Sequence, residues 1–256
     1  MLDTFKSIPG DMRDLGLAAL SHVNRIETQI DKWAELSVLQ VAHAMEILIK
    51  ARIAEEHPLL IFDKFPKPTK NSSNEITDEL TISKLSEKGH TIEWSSLLET
   101  LWATNNVKSI NITEFNKFGE IRNSIQHFGI PPTSTPVSYL TSLEFIYKVI
   151  DPFIYECWGL YAIDYCQDYN SENDDNSEYW NYIRKYLLNS EIKFRISPTL
   201  FENKEQWWKG VKVDGNYLYI SEEEKDYIEP IEISIEYFNY IENQLLNLNE
   251  IYEENS

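Results

Sequence analysis

Three residues near the middle of the chain, Arg122, Asn123 and His127, combine a permanent cation, a side-chain amide and an imidazole within one six-residue stretch, Arg122-Asn-Ser-Ile-Gln-His127. A guanidinium is planar and always charged, which suits it to phosphoryl oxygens. An imidazole exchanges protons near neutral pH. An amide can hold a phosphate or a hydroxyl, or orient a neighbouring histidine. Together these supply what metal-independent cleavage of a ribose phosphodiester needs. A proton must leave the 2′-OH, charge on the phosphoryl oxygens must be stabilised, and the departing 5′ oxygen must be protonated. The products of such chemistry are a 2′,3′-cyclic phosphate and a 5′-OH. The bland alternative has Arg122 paired with Glu120 or another acid, and His127 near a helix C-terminus, interacting with its dipole.

The element that must position these groups is an amphipathic helix. Phe115, Phe118, Ile121 and Ile125 recur at steps of three and four, Thr113 is the expected cap, and Gly129, Pro131 and Pro132 end the run. On such a helix Asn123 and His127 share a face, whereas Arg122 lies about 140° round from His127. Arg122 and His127 can therefore meet at one ligand by the reach of the arginine, by a frayed last turn, or through a second copy of the chain.

Other stretches predict further helices. Asp11 to about Asp31 carries Leu15, Leu17, Ala18, Val23, Ile26 and Ile30. Trp33 to about Glu56 has a broad apolar stripe, as expected of a helix with several neighbours. His43, Glu46 and Lys50 form a polar strip on it, expected as a solvated face with a Glu46–Lys50 ion pair and, secondarily, as a substrate-binding position for Glu46 and Lys50. His57-Pro58 stops this helix, and the apolar Leu59 to Phe62 should tuck beneath the bundle. Residues 63–80 predict a polar loop in which Lys64, Lys67 and Lys70 recur every third residue, either simply solvated or touching an RNA backbone. Thr91 to about Asn105 predicts another helix, and Thr135-Pro136 opens a long apolar one to about Tyr169, with a kink or a brief break near Ile150 caused by Asp151-Pro152.

The acidic stretch 171–177 predicts a boundary, beyond which the period changes from 3.6 to 2. Residues 191–197 alternate cleanly, residues 208–220 predict a hairpin turning at Asp214-Gly215, and a final helix is expected from about Ser234 to Tyr252. The expected organisation is a mainly α chain: a helical bundle over residues 1–170 and a small α+β C-terminal appendage over 178–256.

The charge is uneven. Residues 1–135 carry 14 Lys and Arg against 18 Asp and Glu, whereas residues 136–256 carry 9 against 24, out of a total of −19. Phosphate binding is chiefly electrostatic, so a general nucleic-acid coat protein is excluded, while a local cationic site in the first half is not. The absence of a long apolar run and of a secretory start predicts a soluble, cytoplasmic chain without membrane partners. Cys157 and Cys166 lie too far apart along one helix for a disulfide and are expected as reduced packing residues. No Cys or His pairing at ligand spacing appears, so neither a metal nor another cofactor is expected.

An Arg-x4-His spacing arises by chance in about one such chain in eight, and an Asn directly after the Arg lowers this to about one in a hundred. With its place on a terminated helix, Arg122-Asn-Ser-Ile-Gln-His127 resembles the Arg-x(4–6)-His motif of the HEPN superfamily, and the helical pattern of residues 11–170 resembles it more loosely. The resemblance implies an antiparallel helical bundle, a homodimer, and a metal-independent endoribonuclease acting on RNA such as tRNA, as a toxin or antiphage-defence effector held by an antitoxin or regulatory partner. Arg122 and His127 then correspond to the catalytic pair and Asn123 to the polar residue beside the Arg. The alternative from a different class is a non-catalytic HEPN-like module that docks a protein partner. A third class, an acidic mimic of nucleic acid, would need its negative charge arrayed along one extended face.

Overall fold

The computed structural model describes residues 5–23, 32–132, 138–165, 187–202, 211–214, 217–220 and 231–254. The described chain is mainly helical. In order it runs α1 (Ile8–Val23), α2 (Trp33–Glu56), β1 (Phe62–Lys64), α3 (Ile82–Lys88), β2 (His90–Thr91), α4 (Trp94–Asn105), α5 (Ile112–Phe128), α6 (Tyr139–Phe145) and α7 (Asp151–Trp158). After α7 come α8 (Pro198–Glu202), β3 (Val211–Asp214), β4 (Tyr217–Ile220), β5 (Ile231–Ser234) and α9 (Ile235–Glu254). None of the described helices is long and apolar enough to cross a membrane.

The broad apolar stripe on α2 does what its width requires: the helix touches α1, α4, α5 and α6, and Val41, Ala44, Met45, Leu48, Ile49, Ala51 and Ile53 are all buried. Leu36 and Leu15, although apolar, face outward. The apolar side of α5 is buried as its spacing demands, with Phe118 stacked on Phe145 of α6 at 3.8 Å. Each such side chain contributes about 1.5–3 kcal/mol relative to exposure.

Several boundaries differ from expectation for local reasons. α5 is capped by Asn111, whose side chain accepts from the Glu114 N–H at 3.2 Å, and not by Thr113. Thr91 belongs to β2, antiparallel to β1, so α4 starts only at Trp94. The short α3, capped by Thr81, has no counterpart in the sequence reading. The irregularity expected near Ile150 takes the form of a π-helical turn over Ile146–Ile150, which joins α6 to α7 without a break at Asp151-Pro152. The helix then stops at Gly159, with φ at 67°, and not near Tyr169. Residues 133–137 and 166–186 lie outside the described residues. They include the Thr135-Pro136 start, the 171–177 boundary and Cys166. Cys157 is a half-buried free thiol whose pKa burial pushes up to about 12.

The two hairpin strands form as predicted, but Asp214, expected in the turn, is still paired, opposite Tyr217, with Val211 opposite Ile220, and β5 adds a third antiparallel strand. Residues 191–197 keep their alternation, with Ile192, Phe194 and Ile196 buried, yet form no strand. Side chains of α9 satisfy their backbone instead. Tyr237 donates to the Ile192 carbonyl, Tyr240 and Gln244 donate to the Phe194 carbonyl at 2.9 and 3.0 Å, and Gln244 accepts from the Ile196 N–H at 3.3 Å.

This segment also joins the hydrophobic core of the first 165 residues. Phe194 meets Tyr147 edge-on at 6.0 Å, and the Ser197 hydroxyl donates to Asp164. Arg195 lies over the Tyr155 ring at 4.5 Å, with its Nε 3.2 Å from Asp151 but not aligned as a hydrogen bond. The buried cluster thus has members on both sides of the expected boundary between 1–170 and 178–256.

Asp151 is 2% exposed and accepts from the Ala162 N–H at 2.9 Å. Burial raises its pKa from 3.8 to about 6, with the Ala162 N–H and Arg195 opposing the rise and Asp164 adding to it. A carboxyl whose folded pKa is raised gives its stabilisation fully below the unfolded value and loses it as pH rises through the folded one. Wild type should therefore gain about 3 kcal/mol from this group on going from pH 7 to below pH 4, most of it below pH 6. Denaturant unfolding at pH 7 and pH 5 should show wild type gaining on Asp151→Asn, whereas parallel profiles would remove Asp151 as the source.

Candidate functional site

The polar strip of α2 and the motif of α5 meet at Glu46. Lys50, only 7% exposed, donates from Nζ to Glu46 Oε1 at 2.6 Å and to the Thr91 hydroxyl of β2 at 3.0 Å. The other oxygen of Glu46 lies 3.7 Å from Nη2 of Arg122. Arg122 sits over the Trp94 ring at 5.7 Å and donates from Nη1 to Asn123 Oδ1 at 3.0 Å. The expected Glu46–Lys50 pair is thus present, but it belongs to a partly buried bridge between α2, β2 and α5, with Lys50 itself buried, and not to a solvated face. His43 alone of that strip is exposed.

One carboxylate here serves two cations. The cluster keeps a net positive charge at a partly dry position, where a charge interacts more strongly than in bulk water. Arg122 retains 22% side-chain exposure.

His127 is exposed and stands apart. Its ring meets Phe128 edge-on at 6.4 Å, and among the described residues no hydrogen bond or ion pair joins it to Arg122, Asn123 or Glu46. The last turn of α5 does not fray. It stays α-helical to Phe128, and the Gly129 N–H, with φ at 70°, closes on the Ile125 carbonyl at 2.8 Å. Ser124 then donates to the Ile130 carbonyl at 2.9 Å, fixing the exit. Arg122 turns inward to Glu46 and Trp94, so two of the three routes to convergence are closed. Phe128 and Ile130 beside His127 are 76% and 55% exposed.

Two residues of this site were not anticipated from sequence: Thr91, which accepts from Lys50, and Trp94, which lies under Arg122. Gly119 is the available signal for the second. A Cβ on it would fall 2.5 Å from Trp94 Nε1, so only glycine lets α5 approach the indole, which also stacks on Phe115 at 4.3 Å.

Glu46→Ala would leave Lys50 buried without its carboxylate. Removing one partner of a buried pair costs about 3–5 kcal/mol, on the order of 10 °C in Tm for a chain of this size. Glu46→Ala combined with Lys50→Met should recover most of the loss. Equal thermal unfolding of wild type and Glu46→Ala would show the bridge to be incidental.

Among the described residues no group of three His, Cys, Asp or Glu is placed to hold a metal ion. No family model, curated protein or solved structure matches the chain.

Proposed function

We propose that the chain is a metal-independent endoribonuclease of the HEPN type, its helices forming that superfamily's antiparallel bundle, with a site completed by a second copy of itself. One observation carries this reading: Arg122 is held inward in a net cationic cluster while His127 is outward on an unfrayed helix end. A single copy therefore presents a phosphate binder and a proton carrier that do not face one atom. In an isologous dimer, Arg122 of one chain clamps the phosphoryl oxygens and His127 of the other exchanges protons with the 2′-OH or the 5′ oxygen. Exposed Phe128 and Ile130 beside His127 supply apolar surface for that contact. Asn123, pinned to Arg122, fixes the guanidinium plane. The proposed setting is a toxin or defence effector acting on RNA, with tRNA among the candidates, under the control of an antitoxin-like protein.

Cleavage should persist in EDTA, because the proton transfers are assigned to side chains. Digestion of labelled RNA with EDTA present should give 2′,3′-cyclic phosphate and 5′-OH ends. Activity that vanishes in EDTA and returns with Mg²⁺ or Mn²⁺ would sink the assignment. The non-catalytic docking module is favoured by one observation, the engagement of Arg122 by Glu46 and Trp94. It predicts no cleavage by wild type under either condition.

A further inference from the structure

The lysine repeat of the 62–91 arm has a physical basis for acting as one edge, and the arm is rooted at the candidate site. Between Lys64 and Lys70 the chain reads Phe65-Pro66-Lys67-Pro68-Thr69, without helical or sheet pairing from Phe65 to Thr69. Each proline fixes its own φ and drives the residue before it to extended geometry. An extended polyproline-like backbone repeats every three residues with about 3.1 Å rise. On such a backbone residues three apart, as Lys64, Lys67 and Lys70 are, would share one edge at a spacing of roughly 9 Å.

All three are exposed, and none has a carboxylate within ion-pair distance among the described residues. Two of the arm's acids, Asp78 and Glu75, are engaged elsewhere, whereas Asp63, next to Lys64 in the chain, is exposed. Asp78 takes Lys84 at 2.7 Å and Thr69, which hold its pKa well below the usual carboxylate range, and Glu75 takes Asn71 at 2.8 Å. These contacts order the loop behind the lysine edge. Phe65, 50% exposed between Lys64 and Lys67, offers a face on which a base can stack.

The root of the arm is β1 paired with β2. Lys64 is in register with His90, and the next residue, Thr91, takes the hydrogen bond from Lys50 in the Arg122 cluster. We propose that the Lys64, Lys67 and Lys70 edge binds the phosphodiester backbone of single-stranded RNA and leads it toward Arg122. This deepens the endoribonuclease reading and rests on it for the identity of the ligand. Flexible lysines reading spaced phosphates, with one aromatic platform, recognise a single strand without choosing its sequence.

The test is fluorescence anisotropy of a labelled single-stranded oligouridylate against the full-length His127→Ala chain, with and without Lys64→Ala, Lys67→Ala and Lys70→Ala together. The triple change should weaken binding ten- to a hundredfold and reduce the slope of log K against log salt by about 2, at roughly 0.7 per lost phosphate contact. The matching triple Lys→Arg change should restore the wild-type slope. On the otherwise wild-type chain, the alanine triple should raise KM with little change in kcat. Lysine-dependent binding by a chain that never cleaves would retain the RNA edge and dismiss the nuclease. Cleavage with an unchanged KM and salt slope in the triple variant would dismiss the edge and retain the nuclease. Failure of the parent to bind the oligonucleotide even at low salt, or tighter binding of duplex than of single strand, would also overturn the proposal.

Discussion

Arg122→Ala and His127→Ala chains, purified separately, should each lose cleavage by about 10²–10⁴-fold, the usual worth of a positioned acid–base group or phosphate clamp. Unfolded and refolded together, they should regain about a quarter of wild-type activity. Random pairing makes half of the dimers mixed, and each mixed dimer holds one intact composite site of two. The expectation follows from α5 itself. Its final turn is α-helical to Phe128, Arg122 is drawn toward Glu46, and His127 faces solvent. Native mass spectrometry must show the mixed dimers. Their presence without recovered cleavage would place both groups in one chain, and a strictly monomeric wild type that cleaves RNA would end the composite-site model. His127 is fully exposed, so its substitution should hardly move Tm, whereas Arg122→Ala also removes the contacts with Glu46 and Trp94 and should lower Tm somewhat, which the measured Tm separates from loss of cleavage.

A fragment ending at residue 170 should fail to fold cooperatively. Leu187, Leu188, Phe194, Ile196, Phe201, Tyr237, Ile241 and Leu245 belong to the same buried cluster as Tyr147, Ile150 and Phe153. Removing the tail strips the cover from Tyr147 and leaves the buried Asp151 without Arg195. Uncovering even half a dozen large side chains at about 1.5–3 kcal/mol each is comparable with the whole stability of a domain, about 5–15 kcal/mol. Circular dichroism of the fragment should show reduced helicity and no sharp thermal transition. A fragment that melts cooperatively within a few degrees of the full chain would restore the boundary at 171–177.

The helices were legible where one residue type at one period decides the outcome. Phe115, Phe118, Ile121 and Ile125 had to share a buried face, the wide stripe of α2 had to find several neighbours, and Gly129 had to end α5, because these follow from backbone geometry and solvent exclusion alone. The two hairpin strands were equally local, since alternation marks them, although their register differs from a turn at Asp214-Gly215 because Asp214 itself pairs with Tyr217. What spacing could not carry was which distant groups would meet. Glu46 and Lys50 looked like a wet surface pair because helical spacing gives the face and not its cover; only β2 and α5, from elsewhere in the chain, turn that strip into a partly buried bridge to Arg122. Trp94 under Arg122, and α9 side chains in place of a sheet partner for residues 191–197, are likewise contacts between parts 28 to 50 residues apart. The residues that could do chemistry were thus set by the sequence, whereas the inward turn of Arg122 and the outward stance of His127 were decided by packing. Which way a long side chain points depends on the charges and ring faces that tertiary structure brings beside it.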